Sequence, residues 1–328
     1  MLTDLSAPQL WLAVLLGVWM DRLLGEPTRF HPLVGFGHIA NWLERRCNRA
    51  RAGRFAGVCA WSLAVLPLVA LAQALLTAAH YLSGYLGGYV SDALTISGHA
   101  LLLYFCIGLR SLRDHNLPIQ QALESGDLAR ARLLTARIVT RDTGHGDAAY
   151  LSKASVESVL ENGCDAVFGT LFWFAVGGGS AALLYRLANT LDAMWGYRSE
   201  RFLRFGWAAA RIDDVLNWIP ARLTALTYAL LGNTRLAWHC WQTQSPAWPS
   251  PNAGPVMAAG AGALALALGR SARYDGVDET RPPLGEGRAS QAGDIARAWR
   301  LVWRGACLWL LLWGALTALY FASGAHHA

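Results

Sequence analysis

The stretch FAGVCAWSLAVLPLVALAQALLTAA, residues 55–79, contains no Asp, Glu, Lys or Arg. About 20 apolar residues suffice for a helix to cross the hydrocarbon core of a bilayer. The stretch therefore predicts a transmembrane helix. The whole chain shares its character, because 54% of its 328 residues are hydrophobic and 15% are charged, against about 25% charged in soluble domains. We predict an all-α fold, a polytopic integral membrane bundle with helical loops on the cytoplasmic side.

Other apolar stretches predict further spans on both sides of residues 55–79. The clearer ones lie near 5–24, 93–110 and 306–323, and weaker ones lie at 166–185, 223–241 and 253–269. Gly177-Gly178-Gly179 interrupts one weak segment, as in a broken or re-entrant helix. No alternation typical of strands stands out. Residues 270–304 are predicted as a loop followed by a helix over Asp294 to Arg304, because Pro282-Pro283 cannot lie inside a helix. We take residues 1–328 as a single membrane-embedded domain.

The charges indicate how the chain is oriented in the membrane. The net charge is +6, and the basic residues lie beside apolar runs. This is the pattern of the positive-inside rule, so we expect no nucleic-acid partner. Loops 29–54, 110–165, 186–222 and 270–304 carry the basic residues and are predicted to be cytoplasmic. If 166–185 does not cross and both later weak segments do, the chain has six spans and both termini lie outside.

Two polar segments carry candidate chemistry. In a helix, Lys153, Glu157, Glu161 and Asp165 fall on one stripe. Such a stripe suits Mg²⁺ or phosphate binding, or it is a solvated helix face with a Lys153–Glu157 ion pair. In the segment ARIDDVLNWIPARL, residues 210–223, Arg211, Asp214 and Asn217 share a helical face and Asp213 points elsewhere. This segment suits metal–phosphate coordination, or it is an ion-paired helix end at the membrane surface.

Three shorter motifs have open interpretations. The run Asn189-Thr190-Leu191-Asp192 follows the apolar segment 166–185, where polar groups are costly unless they face a cavity or a partner. Arg141-Asp142-Thr143 either contributes to a site or caps a helix. DRLLGEP, residues 21–27, and HPLVG, residues 31–35, predict a tight turn after the first span, and a lone histidine such as His31 is usually not a ligand.

Taken in order along the chain, these motifs resemble the CobD/CbiB family, the adenosylcobinamide-phosphate synthases of cobalamin biosynthesis. The resemblance rests on DRLLGEP with HPLVG, RDT (141–143), VESVLEN (156–162), NTLDAMWGY (189–197), ARIDDVLNWIPARL (210–223) and SPNAG (250–254). It covers residues 21 to about 275, and the segment 210–223 is its most specific part.

The resemblance implies an enzyme of the cell inner membrane with its active site on the cytoplasmic side. Such a carbon–nitrogen ligase joins adenosylcobyric acid, a corrinoid, to (R)-1-amino-2-propanol or its O-phosphate, using ATP and Mg²⁺. The product is adenosylcobinamide or its phosphate. The sequence leaves open which amine is used, and whether the protein forms a homo-oligomer or associates with later enzymes of the pathway. The alternative function is a non-catalytic, AmpE-like membrane signalling protein, which would lack the acidic motifs.

The family's motifs carry our residue assignments. We expect catalytic roles for Asp142, Glu157, Glu161 and Asp214, with Asp142 or Glu161 as the base. We expect metal ligation by Asp192, Asp213 and Asp214. Phosphate and substrate binding are assigned to Arg141, Arg211, Arg222, Asn162, Asn189, Asn217, His31 and Asn252.

Overall fold

The structure is a computed structural model that describes residues 5–27, 31–49, 53–86, 88–274 and 276–324. Most of these residues are helical. The first six helices are α1 Ala7–Leu24, α2 Pro32–Cys47, α3 Arg54–Leu86, α4 Gly88–Cys106, α5 Leu109–Glu124 and α6 Leu128–Thr135. The remaining helices are α7 Ala148–Gly163, α8 Gly169–Trp195, α9 Trp207–Leu216, α10 Trp218–Leu231, α11 Thr234–Gln244, α12 Ala253–Leu264 and α13 Ala292–Gly324. A π-helical turn, Cys164–Phe168, joins α7 to α8, and a 3₁₀ turn covers Ser245–Ala247. The strands are β1 Leu266–Tyr274, β2 Val277–Leu284 and β3 Arg288–Ala289.

Four helical runs in the described residues are long and apolar enough to cross a membrane. They are Arg54–Tyr81, Asp92–Glu124, Ala148–Trp195 and Ala292–Tyr320. The predicted all-α, multi-pass membrane fold is therefore confirmed. The runs contain the segments predicted at 55–79, 93–110 and 306–323, and also 166–185. Helix α1, which corresponds to 5–24, has 18 residues and Asp21-Arg22 in its last turns, and it is not among the four.

Three expectations for the second half of the chain were wrong. Segment 223–241 is not one helix, because α10 ends at Leu231 and Asn233 caps α11 by accepting the Leu236 N–H. In 253–269, the helix stops at Leu264 and strand β1 begins. The predicted loop after residue 270 is largely an antiparallel hairpin of β1 and β2, and β3 adds to the other edge of β1 in parallel. The helix predicted over Asp294 to Arg304 lies within α13.

The chain divides into two compact units, each built from separate segments. The first comprises residues 1–108, 169–216 and 310–328, and the second comprises 109–168 and 217–309. The division into two units does not decide whether residues 1–328 fold as a single membrane-embedded domain, so the single domain stays a prediction.

In the first unit, small residues allow helices to pack closely. A methyl group at Gly17 of α1 would lie 2.9 Å from Leu103 of α4, so these helices approach almost backbone to backbone. A hydrophobic cluster joins α2, α3, α8 and α9 around Trp61, Trp195 and Phe205, each at most 7% exposed. Together these contacts fix the polar end of α8, where Asn189 and Asp192 lie.

Helix α8 is broken at the glycine triplet, as the sequence predicted. Gly177 has φ −144° and ψ 23°, and Gly178 has φ 64° and ψ −154°. A positive φ of this kind is accessible mainly to glycine. The break frees the Gly179 N–H, which donates to Nδ1 of the buried His99 at 2.9 Å. The imidazole thus satisfies a peptide group that would otherwise be buried without an acceptor.

The loop after α8 is anchored to α2 by an ion pair. Arg201 donates from Nε and Nη2 to the two oxygens of Glu44, at 3.0 and 2.6 Å. The Glu44 side chain is 5% exposed and that of Arg201 is 64% exposed. The hydrogen bonds from Arg201 lower the pKa of Glu44 below its usual value. Burial opposes this shift, and a further hydrogen bond from Asn48 supports it.

This ion pair predicts an acid-dependent loss of stability. Because the pKa of Glu44 is lowered by folding, its contribution is fully present above the unfolded value, about 4.3, and is lost as the pH falls through the folded value. We expect Arg201→Gln to melt below wild type at pH 7 in detergent. The difference in Tm should shrink as the pH is lowered from 5 to 3. A difference that stays constant over this range would contradict the prediction.

Candidate functional site

In the second unit, the candidate site is organised around Glu157 on α7, whose side chain is 1% exposed. Its Oε2 accepts hydrogen bonds from Arg141 Nη2 at 2.6 Å and Arg281 Nη1 at 3.1 Å. Its Oε1 accepts the Gly269 N–H at 2.8 Å. Three donors on one carboxylate fix its orientation. We call Glu157 with these two arginines the Arg–Glu cluster.

Helix α7 holds this cluster against the irregular part of the hairpin. Asp147 caps the helix by accepting the Tyr150 N–H. One turn before Glu157, Lys153 donates to the carbonyls of Gly269 and Ser271, at 3.0 and 2.8 Å. The register of β1 and β2 shifts between these two residues. Lys153 and Glu157 therefore bind opposite polar groups of one bulge, in place of the Lys153–Glu157 ion pair that was one of the two alternatives for this stripe.

Arg141 retains a hydrogen-bonding group that nothing in the described chain satisfies. Its Nη1 is buried and has no partner there. Burial opposes the charge of Arg141, but the attraction and hydrogen bond of Glu157 outweigh burial and raise the pKa of Arg141. Glu161 follows one turn after Glu157 and is within electrostatic reach of Arg141 and Arg281. Arg141, Arg281 and Lys153 carry three positive charges, against the two carboxylates of Glu157 and Glu161. This excess of positive charge favours an anionic ligand.

The other predicted residues of the second unit have local partners. Asp142 Oδ1 accepts the Gly144 N–H at 2.9 Å, so the RDT motif forms a turn before α7. Arg222 donates to Asn252 Oδ1 at 2.7 Å and to the Pro251 carbonyl at 3.1 Å, and burial lowers its pKa. The structure thus brings together two predicted binding residues that are 30 positions apart.

Two predicted asparagines of this unit differ in their surroundings. Asn217 lies between α9 and α10, so it does not continue the face of Arg211 and Asp214. Its Nδ2 donates to Asp165 Oδ1 at 3.3 Å, and it is 2% exposed. Asn162 is exposed and donates to Ser158 on its own helix.

In the first unit, the predicted metal ligands lie on α8 and α9, two helices that contact each other. Asn189 Nδ2 donates to Asp213 Oδ1 at 3.2 Å, and Asp213 is 9% exposed. Arg211 Nη1 donates to Asp214 Oδ2 at 3.1 Å, the pair expected from their spacing. Burial raises the pKa of Asp214, and Arg211 offsets this only in part. Asp192 follows Asn189 on α8, and a methyl group at Gly196 would collide with its carboxylate.

These oxygen donors suit magnesium bound together with a phosphate. Within the described residues, no three His, Cys, Asp or Glu side chains form a group that could hold a metal alone. Mg²⁺ usually takes one or two protein carboxylates, several waters and substrate phosphates. The carboxylate of Asp213, which accepts the Asn189 amide N–H, offers an oxygen ligand to such a site. The ligand set Asp192, Asp213 and Asp214 stays a prediction.

His31 begins α2, and its Nδ1 accepts the Leu33 N–H at 3.2 Å. Its side chain lines a cavity in the first unit together with Asp21 and Arg186. The sequence analysis selected His31 but neither of these neighbours. Arg281 and Gly269 were missed as well, because their contacts with Glu157 join residues more than 100 positions apart. Only Pro282-Pro283 marked that region as special, and it pointed to a loop.

Comparison with known proteins agrees with the motifs. The family model described as CobD/Cbib protein matches residues 14–302. The chain belongs to this family. It is 55% identical over 304 residues to the "Cobalamin biosynthesis protein CobD" of Stutzerimonas stutzeri, covering 92% of this chain and 96% of that protein. Proteins of the same name from Chromobacterium violaceum and Mycobacterium tuberculosis are 51% and 39% identical, covering 94% and 87% of this chain and 96% and 88% of their own length.

No solved structure matches the chain. Membership in the CobD/CbiB family places this membrane protein in cobalamin biosynthesis.

Proposed function

We propose that the protein is an ATP-dependent ligase that joins adenosylcobyric acid to (R)-1-amino-2-propanol or its O-phosphate. The product is adenosylcobinamide or its phosphate. Family membership supports the pathway. The observation that carries the reaction type is the Arg–Glu cluster with the unsatisfied Nη1 of Arg141.

A buried guanidinium N–H without an acceptor is costly. Arginine binds phosphate oxygens in a forked geometry through charge-assisted hydrogen bonds. Glu157 already fixes Nη2 of Arg141 and Nη1 of Arg281, so the guanidinium planes are oriented before a ligand arrives. A phosphate oxygen on Arg141 Nη1 would complete this arrangement.

The chemistry requires phosphate binding because a carboxylate is a poor acyl donor. A carboxylate oxygen of the corrinoid attacks the γ-phosphorus of ATP, ADP leaves, and an acyl phosphate forms. The amine nitrogen then attacks the acyl carbon, inorganic phosphate leaves, and the nitrogen loses a proton to a base. Glu161 and Asp142 are the candidate bases. Mg²⁺ would neutralise phosphate oxygens, and Asp192, Asp213 and Asp214 would hold it.

We further propose that the protein lies in the cell inner membrane with its site on the cytoplasmic side. The predicted cytoplasmic loops carry the Arg–Glu cluster and most of the segment 210–223, and ATP is available on that side. Association with another copy or with later enzymes of the pathway is compatible with this placement.

The reaction is tested with purified protein in lipid vesicles. We expect ADP to form only when ATP, Mg²⁺, adenosylcobyric acid and an amine are all present, with one ADP per amide detected by mass spectrometry. Reactions lacking either the corrinoid or the amine are the controls. ATP hydrolysis that does not depend on them, or no amide with either amine, would contradict the proposal and favour a non-catalytic role.

A further inference from the structure

Arg281, which the reaction above uses only as a partner of Glu157, lies over the ring of Trp248. Its Cζ is 4.5 Å from the centroid of the ring, and Trp248 is partly buried. A guanidinium within about 6 Å of a tryptophan face is attracted by the quadrupole of the ring. This attraction uses none of the N–H donors of Arg281. Trp248 therefore holds the positive charge in place and leaves its hydrogen bonds available.

Arg281 keeps hydrogen-bonding capacity for a ligand. The hydrogen bond that it makes within the described residues runs from Nη1 to Oε2 of Glu157, at 3.1 Å. An arginine side chain has five N–H donors, and that of Arg281 is 17% exposed. Arg141 donates to the same oxygen and has a buried Nη1 without an acceptor in the described chain. Two guanidinium groups with spare donors thus meet at one carboxylate oxygen, which suits an anion with several oxygens.

Trp248 is itself held in place by the turn that precedes α12. Its N–H donates to the Ser245 carbonyl at 3.1 Å. A methyl group at Gly254 would lie 2.9 Å from Cβ of Trp248 and 2.8 Å from the Ser245 carbonyl oxygen. A larger residue at position 254 would therefore displace the tryptophan. The glycine of the SPNAG motif allows Trp248 to lie where it contacts Arg281.

Arg222 fixes the residues that follow Trp248. It donates to Asn252 Oδ1 at 2.7 Å and to the Pro251 carbonyl at 3.1 Å. Its Cζ lies 4.6 Å from the ring centroid of Trp218. The chain around the SPNAG motif is thus tied to α10 on the C-terminal side of Trp248, and the ring has a fixed support.

Resting on the proposed function, we propose that Trp248 is the positioning residue of Arg281, and that Arg281 binds the phosphates of ATP beside Arg141. Without the ring, Arg281 would keep its contact with Glu157 but could rotate about it. Its other donors would then have to be ordered when the ligand binds. Ordering a flexible side chain on binding costs free energy and lowers affinity.

The test measures binding of an anion without corrinoid or amine. Purified protein in detergent with Mg²⁺ is titrated by calorimetry with inorganic tripolyphosphate. We expect Trp248→Leu and Trp248→Met, which lack a ring, to raise the Kd about fivefold or more. Trp248→Phe keeps an aromatic face and should stay within about twofold of wild type. Trp238→Leu removes a tryptophan of α11 in the same unit that is 47% exposed, and should leave the Kd unchanged.

A double-mutant cycle separates positioning of Arg281 from a general loosening of the unit. If Trp248 acts through Arg281, Trp248→Leu should change the Kd by less than about twofold once Arg281→Gln is present, because both substitutions remove the same contact. If Trp248 only supports the fold, the two effects should multiply.

Initial rates of amide formation provide a further readout. Trp248→Leu should raise KM for ATP about fivefold and leave KM for the amine within about twofold. The inference is overturned if wild-type protein does not bind tripolyphosphate, if the variants without a ring bind it as well as Trp248→Phe does, or if the leucine effect persists beside Arg281→Gln. The proposed function is judged separately by amide formation in wild type, so either can fail while the other stands.

Discussion

Replacing Glu157 by alanine is expected to lower the free energy of unfolding by about 3–5 kcal/mol. The carboxylate is 1% exposed and accepts hydrogen bonds from Arg141, Arg281 and the Gly269 peptide. Its removal leaves two guanidinium groups and a peptide N–H without their acceptor. Since folded proteins are stable by only about 5–15 kcal/mol, we also expect less protein to accumulate in the membrane.

The prediction is checked by thermal melting of purified protein in detergent. Glu279→Ala is the matched control, because Glu279 lies exposed on β2, the strand that carries Arg281. Its Tm should stay within a few degrees of wild type. If Glu157→Ala melted together with this control, the Arg–Glu cluster would not be a stabilising element.

Glu157→Gln separates the charge of Glu157 from its shape. The amide oxygen can still accept the Gly269 N–H, but the negative charge between the arginines is lost. We therefore expect a smaller fall in Tm than with alanine, and a marked fall in amide formation. A glutamine variant as active as wild type would show that the guanidinium groups need no carboxylate to hold them for catalysis.

The features predicted correctly from the sequence depend on short-range rules. The break in α8 followed from three consecutive glycines in an apolar segment, and the backbone of Gly178 shows why glycine is needed there. The pair Arg211–Asp214 followed from helical spacing. The His99 acceptor of the break was not predicted, because His99 lies on another helix and nothing near it in sequence indicates the contact.

The β1–β2 hairpin was missed although part of its signal was present. The sequence Asp-Gly at positions 275–276 is a typical signal for a two-residue hairpin turn. Asp275 itself lies outside the described residues. The sequence of β2, VDETRPPL, does not alternate between apolar and polar residues. Most of this strand is exposed, so it has no buried face that would require such alternation. What stabilises the hairpin is its attachment to Lys153 and Glu157. Such long-range contacts cannot be inferred from spacing.

The second large effect is expected at Asp213. Asp213→Asn should lower kcat for amide formation by about 10²–10³-fold while leaving Tm close to wild type. The asparagine keeps the size of the side chain and an oxygen that can accept the Asn189 amide, now at 3.2 Å. Only the negative charge is lost, and that charge is the proposed contribution to Mg²⁺ bound with ATP.

A magnesium titration distinguishes loss of a metal ligand from mere displacement of α9. If Asp213 binds the metal, the variant should need a higher Mg²⁺ concentration for half-maximal rate, because fewer protein oxygens then offset the dehydration of the ion. A displaced helix would lower the rate at every Mg²⁺ concentration without this shift. Glu200→Gln is the control for a lost exposed carboxylate in the same unit. If Asp213→Asn kept the wild-type kcat and Mg²⁺ dependence, Asp213 would not belong to the metal site. If an Asp214→Ala protein inserted normally and kept full activity, Asp214 would not belong to it either.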